Sequence, residues 1–281
     1  MMKNTFFNLS RFTNLCRKNM VEDWRANLLR LLVLYGVMAV ILVWYGYIVY
    51  HNYKSYSIQY TKTDPVWEFV ALAFLWFLFG FGALSASFTM ENMKSKASRL
   101  SSLMIPATSF EKYFSRWLVS TVVFLFLFLI AFKLADYTRV IIYRFSYPKI
   151  EAIEAFPLTG WVDRTSVHYV FVFRKMHMLI FIFALYLYVQ SLFVLGSVIW
   201  PKNSFLKTFA SGSIIAFLYF GTIILLIDMF SDPTLHYDTP LSLWTDAERS
   251  ALFSVLAVLG ALFNWVLGYF RFKESEIIQR M

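Results

Sequence analysis

Six long apolar stretches divide this chain, and they leave few folds open to it. They cover residues 31–50, 67–88, 117–135, 178–200, 208–230 and 251–270. Each is about 19–23 residues, so each makes a helix of roughly 30 Å, the thickness of a bilayer's hydrocarbon core. In that core every backbone group must be satisfied within the protein, which leaves helices and closed barrels. The stretches are continuous rather than alternating, which favours helices over barrel strands. The expected fold is all-α, a polytopic membrane protein with six transmembrane helices.

Charged residues make up 15% of the 281 residues, against 59% hydrophobic, where soluble domains carry about a quarter. The spans take up close to half of the chain. A single membrane domain over residues 1–281 is expected, with no room for a separate soluble catalytic domain. The single cysteine, Cys16, excludes an internal disulfide framework. The first 27 residues are basic but lack a short apolar core and a small-residue cleavage site, so the first span is expected to stay as an anchor. The net charge of +9 points to anionic lipid at one membrane face. Nucleic acid is not expected, because no soluble basic face carries interleaved aromatics.

The distribution of basic residues gives an orientation. Lys3, Arg11, Arg17, Lys18, Arg25 and Arg30 precede the first span. Lys94, Lys96, Arg99, Lys112 and Arg116 lie in the second connection, Lys202 and Lys207 in the fourth, and Arg271, Lys273 and Arg280 in the tail. The short first and fifth connections hold Lys54, Lys62 and Arg249. The positive-inside rule therefore expects both termini in the cytoplasm, with the long third connection carrying little weight.

The connections are uneven. Residues 5–27 show Leu9, Phe12, Cys16, Met20 and Trp24 at three- and four-residue spacing, opposite Arg11, Lys18, Glu22 and Arg25. This is the pattern of an interfacial amphipathic helix, interrupted by Asp23, and both a surface anchor and a coupling element fit it. In residues 89–116, Pro106 ends any preceding helix. Thr108 and Glu111 have the spacing of a capping box that starts a new one. That new helix carries Phe110, Phe114 and Trp117 on one face and heads into the third span. A short cytoplasmic helix between spans two and three is expected, acting either as a lever for a cytoplasmic partner or as a helix lying among headgroups. The third connection, residues 136–177, is expected to be a long extracytoplasmic loop, with a strand at 166–173.

Catalytic motifs are missing. No G-x-x-x-x-G-K-[ST] occurs, so no ATP is held by a P-loop of this chain. His51, His168, His177 and His236 form no H-E-x-x-H, and no G-x-S-x-G elbow is present. No enzymatic activity, cofactor or metal is expected. Arg30, Lys133, Asp136 and Asp228 sit near span ends, where snorkelling accounts for them. The deeper polar residues are Gln190, Ser191, Ser213, Thr222 and Asn264. Such residues join helices by hydrogen bonds or, for Gln190, Ser191, Ser213 and Asn264, line a substrate path.

Several segments resemble the ABC-2 type permeases, the transmembrane subunits of bacterial ABC exporters. Residues 103–117 read Leu-Met-Ile-Pro-Ala-Thr-Ser-Phe-Glu-Lys-Tyr-Phe-Ser-Arg-Trp, similar to that family's L-P-A-[ST]-x-x-E-K-[FY] segment. Gln190 to Ser197, running into Lys202 to Thr208, and the tail Tyr269-Phe270-Arg271-Phe272-Lys273-Glu274 are similar too. The chain departs from the family in having its longest outward loop between spans three and four. The resemblance implies a permease subunit in the bacterial inner membrane, paired with a second permease chain, like or unlike, and served by a separate ATP-binding subunit. It implies that Ser109, Phe110, Glu111, Lys112 and Tyr113 meet that ATPase and transmit its motion. The alternative is a non-transporting scaffold or sensor subunit that keeps the same fold.

Overall fold

In the computed structural model the described residues are 6–22, 24–52, 64–148, 150, 152–157, 175–230 and 244–278. Among them every regular element is a helix, and six helices are long and apolar enough to cross a membrane. The strand expected at 166–173 lies outside the described residues.

Helix α1 (Leu9–Glu22) starts where the Asn8 side chain accepts from Ser10 N at 3.0 Å, satisfying a donor the helix leaves open. Helices α2 (Trp24–Asn52) and α3 (Trp67–Ser87) follow, then a single 3-10 turn at Glu91–Met93. Helix α4 (Lys96–Leu103) and helix α5 (Ser109–Leu118) come next. A π-helical turn, Val119–Val123, joins α5 without a break to α6 (Phe124–Ser146). The last three are α7 (Met176–Ile199), α8 (Ser204–Phe230) and α9 (Asp246–Ile278).

The third apolar stretch is thus the middle of one 38-residue helix, Ser109–Ser146. Its length is about 57 Å, nearly twice the hydrocarbon thickness, so it overhangs the apolar layer. The loop expected from residue 136 begins only after Ser146. The residues at 136–146 stay helical because Asp136, Arg139, Val140 and Tyr143 form a buried face, a pattern hidden from hydropathy by its charges.

The chain divides into two compact units. The first comprises Met1–Gly82 and Leu118–Leu179. In it α2 packs along α6. Gly46 permits the close approach, since a Cβ there would lie 2.7 Å from the Tyr143 ring. The Tyr143 hydroxyl donates to Val43 O at 2.6 Å. Phe74 on α3 meets Phe128 and Phe132 on α6 edge-on, with centroids 5.3 and 4.9 Å apart, the arrangement ring quadrupoles favour.

The second unit comprises Ala83–Trp117 and Ile180–Met281. Its core gathers Ala83, Ala86, Met90, Met93, Tyr113, Phe193, Val194 and Phe272. Helices α7 and α8 come close at Gly196, where a Cβ would stand 1.9 Å from Thr208 Oγ1. From Phe209 to Ile224, α8 is exposed on nearly all sides, with Phe209, Ile215, Phe217, Leu218 and Phe220 each more than half uncovered. An apolar surface this continuous is unfavourable in water and favourable against lipid or another apolar helix.

Candidate functional site

The connection between α3 and α5 is built almost wholly from local polar caps. Ser95 is the N-cap of α4, accepting from Ser98 N. Arg99 donates to Met93 O at 3.1 Å, and Arg116 donates to Ser102 Oγ at 2.7 Å. These bonds tie α4 to the turn before it and to α5. Pro106 follows the end of α4 in an exposed turn, as the sequence predicts.

The capping box expected at Thr108 is present with both arms. Glu111 N donates to Thr108 Oγ1 at 3.3 Å, and Thr108 N donates to Glu111 Oε2 at 3.1 Å. Two open donors of the first turn are satisfied reciprocally. The predicted aromatic face of α5 also forms. Phe110 stacks on Phe114, Phe114 on Trp117, and Trp117 meets Trp265 edge-on at 5.1 Å. Phe110 and Tyr113 each meet Tyr269, and Tyr113 donates its hydroxyl to Trp265 O at 2.9 Å. Gly268 makes room, since a Cβ there would lie 2.8 Å from the Tyr113 hydroxyl oxygen.

This packing changes the roles available to the five residues expected to meet a partner. Glu111, Lys112 and Tyr113 are buried, with 0%, 6% and 5% exposure. Ser109 and Phe110 are partly covered. The outward apolar side chains of the connection are Leu100 and Met104, 59% and 82% exposed, flanked by exposed Lys94 and Lys96. The end of α9 is turned to the same core. Tyr269 and Phe272 pack against Tyr113, while Phe270 and Arg271 remain exposed.

The deep polar residues separate into two groups. Asn264 Nδ2 on α9 donates to Ser191 Oγ on α7 at 3.0 Å, with both residues buried and Gln190 buried beside them in the chain. This is a helix-joining contact of the kind expected of polar residues in an apolar setting. Ser213 and Thr222 instead lie on exposed parts of α8, and Thr222 bonds back to Tyr219 O. Ser213 therefore does not join the Ser191–Asn264 pair.

An ionic cluster in the first unit was not expected. Asp136 does not snorkel but is fully buried, as is Arg139, and Asp64 is 1% exposed. Arg139 Nη1 lies 2.8 Å from Asp64 Oδ2 and 2.9 Å from the Tyr50 hydroxyl. Its Nε donates to Asp136 Oδ1 at 2.9 Å, its Nη2 to Glu154 O at 2.9 Å, and Nη2 also lies 2.9 Å from Asp136 Oδ1. The guanidinium has five donor hydrogens, and four of them meet acceptors in this set. Tyr50 donates to Asp64 Oδ1 at 2.6 Å, and Asp136 Oδ2 accepts from Phe156 N at 2.7 Å. Lys133 donates to Phe156 O, and Arg144 to Ile153 O. The cluster thereby fastens residues 153–156, and the start of α3, onto the overhanging part of α6. The sequence signal was available in the i, i+3 spacing of Asp136 and Arg139 on a helical register continuing past the apolar run.

Cys16 on α1 is partly buried, and burial pushes its thiol up from the ordinary range, which disfavours the reactive thiolate.

Among the described residues the chain is all-helical, with six helices of membrane-spanning length and two polar assemblies, a capped connection and a buried ion cluster. Compared with protein-family models, curated proteins and solved structures, it matches none.

Proposed function

We propose that this chain is the membrane-spanning permease subunit of an ABC exporter, driven by a separate ATP-binding subunit. It lies in a bacterial inner membrane with both termini in the cytoplasm, α1 on the inner surface, and a second permease chain beside it. The observation that carries the reading is the capped helix α5. Its first turn is fixed by the Thr108–Glu111 box, its flank is packed on α9, and its backbone continues unbroken into the third span. A helix so held transmits displacement where an ordinary loop would absorb it. The sequence resemblance over residues 103–117 supports the same assignment.

The burial of Glu111, Lys112 and Tyr113 supports a role in the stiffness of the lever over contact with the ATPase. The contact is carried by Leu100 and Met104 on and after α4, with Lys94 and Lys96 at its edge. Affinity purification of the tagged chain from its native host in mild detergent tests the reading. The expected result is a roughly stoichiometric P-loop protein that is lost on Met104→Asp, while the permease itself is inserted and melts as before. Recovery of the chain with no P-loop protein would refute the transporter assignment and favour the scaffold or sensor reading. Retention of the ATPase by Met104→Asp and Leu100→Asp alike would refute the proposed contact.

A further inference from the structure

The second unit contains a cavity that none of the roles above uses. It has a volume of about 230 Å³ and lies where the 3-10 turn after α3, helix α4, the end of α7 and the end of α9 converge. Met93, Ile199 and Phe272 supply apolar wall, and Arg99, Arg271 and Glu274 supply charge. The three charged groups leave one net positive charge. Arg99 spends one Nη2 hydrogen bond on Met93 O, yet its Nε is buried with no acceptor among the described residues. A guanidinium on a cavity wall suits an incoming oxyanion, because its fork carries five donors and Arg99 uses one of them on Met93 O. Arg271, paired with Glu274 at 3.0 Å, is more than half exposed at the cavity's open side. Lys202 and Lys273, exposed and next in the chain to lining residues, add positive potential around it.

We propose that this cavity binds the phosphate of an anionic phospholipid, with Arg99 and Arg271 as its ligands and the acyl chains leaving over the apolar wall. Size and polarity select this class. The cavity is smaller than the roughly 300–1,000 Å³ of sites that enclose a drug-sized ligand, so it holds a headgroup rather than a whole substrate. Basic pockets between the ends of spanning helices are where anionic headgroups are bound, and a half-apolar wall suits an amphiphile better than a free ion. Arginine fits because its planar fork meets two phosphate oxygens at once. The site does not depend on the chain being a transporter.

Native mass spectrometry of the delipidated full-length protein, with whatever subunits accompany it, tests the site. The probes are phosphatidylglycerol, diacylglycerol with the same acyl chains, and inorganic phosphate. Phosphatidylglycerol is expected to bind on the order of tenfold more tightly than diacylglycerol, the effect of hydrogen bonds to a charged group. Arg99→Gln and Arg271→Gln are each expected to remove most of that difference, while Lys207→Gln, an exposed cation outside the lining, changes binding less than about twofold. Arg99 also holds Met93 O, so if Arg99→Gln fails to fold, the test rests on Arg271→Gln, whose guanidinium is largely exposed. Equal binding of the two lipids, or arginine variants that bind phosphatidylglycerol as the wild type does, would overturn the site. An equal loss on Lys207→Gln would reduce it to unspecific surface charge. Full displacement of the lipid by inorganic phosphate at matched concentration would overturn the lipid assignment in favour of a soluble phosphate.

Discussion

Replacing Arg139 by methionine removes the centre of the buried ion cluster and nothing else of comparable size. The substitution keeps much of the side chain's length and leaves Asp64 and Asp136 facing each other's charge in a site where Arg139, Asp136 and Asp64 are all at most 1% exposed. Removing one member of a buried ion pair costs about 3–5 kcal/mol, chiefly because the remaining charge loses its counterion without regaining water. Here two carboxylates are stranded, and the Glu154 carbonyl keeps only the Trp67 indole N–H of its two donors, so the upper part of that range applies. For a chain of this size 1 kcal/mol corresponds to roughly 2–4 °C in melting temperature, giving a drop of about 8–20 °C. Fluorescence-detected size exclusion after heating in detergent measures it. The triple variant Arg139→Met, Asp64→Asn, Asp136→Asn carries no charge in the cluster and is expected to regain most of the loss, since neutral replacements of a buried ionic group are often tolerated. An Arg139→Met protein that melts within about 2 °C of wild type would refute the reasoning, as would a triple variant no better than the single one.

Two more outcomes follow from local geometry. Gly196→Ala sets a Cβ against Thr208 Oγ1 and Cγ2 at 1.9 and 2.7 Å, so α7 and α8 must separate at a cost of about 1–3 kcal/mol; Gly80→Ala, which meets nothing within 4 Å, is expected to be neutral or slightly stabilising in the same melts. Thr108→Ala removes one arm of the capping box at a cost of about 0.5–2 kcal/mol, and Thr108→Ser retains it; hydrogen exchange over residues 109–113 is expected to quicken in the alanine variant alone.

How much of this was legible in the sequence depends on the range of the interaction concerned. The spanning helices are set by apolar runs longer than any soluble core requires, so hydropathy finds them. The Thr108–Glu111 box and the Phe110–Phe114–Trp117 face are contacts between residues three or four apart, and such spacing survives in the linear text. The end of the third helix was missed because Asp136, Arg139 and Arg144 look like the polar start of a loop when read singly. Arg139 is neutralised by Asp136, one turn earlier and within reach of a helical reading, and by Asp64, 75 residues away, which no local pattern encodes. For the same reason Asp136 was read as a residue reaching for water, when its carboxylate is held by Arg139 and by the backbone of Phe156. Ser191 and Asn264 meet across 73 residues, and Ser213 does not join them because α8 turns that stretch outward.

On the proposed reading, the capping box gives a physical reason for a rigid element and a contact surface to fall on different residues. A box orders the backbone by turning its polar side chains back on the helix start, and Glu111 is consequently fully buried. The aromatic face orders the same helix by packing it on α9, which consumes Phe110, Tyr113 and Trp117. A helix stiffened in both ways has few side chains left to offer a second protein. The free apolar groups must then come from a neighbouring element that is itself fastened, and α4 meets that need: Arg99 and the Arg116–Ser102 bond hold its inner side, and Leu100 and Met104 are left outward. A force applied at Met104 therefore enters α5 through short, satisfied hydrogen bonds rather than through slack chain. If the proposed exporter reading holds, weakening that joint with Arg116→Ala leaves partner binding intact and lowers only the stimulation of the partner's ATPase, a separation of effects that a contact role for Arg116 would not produce.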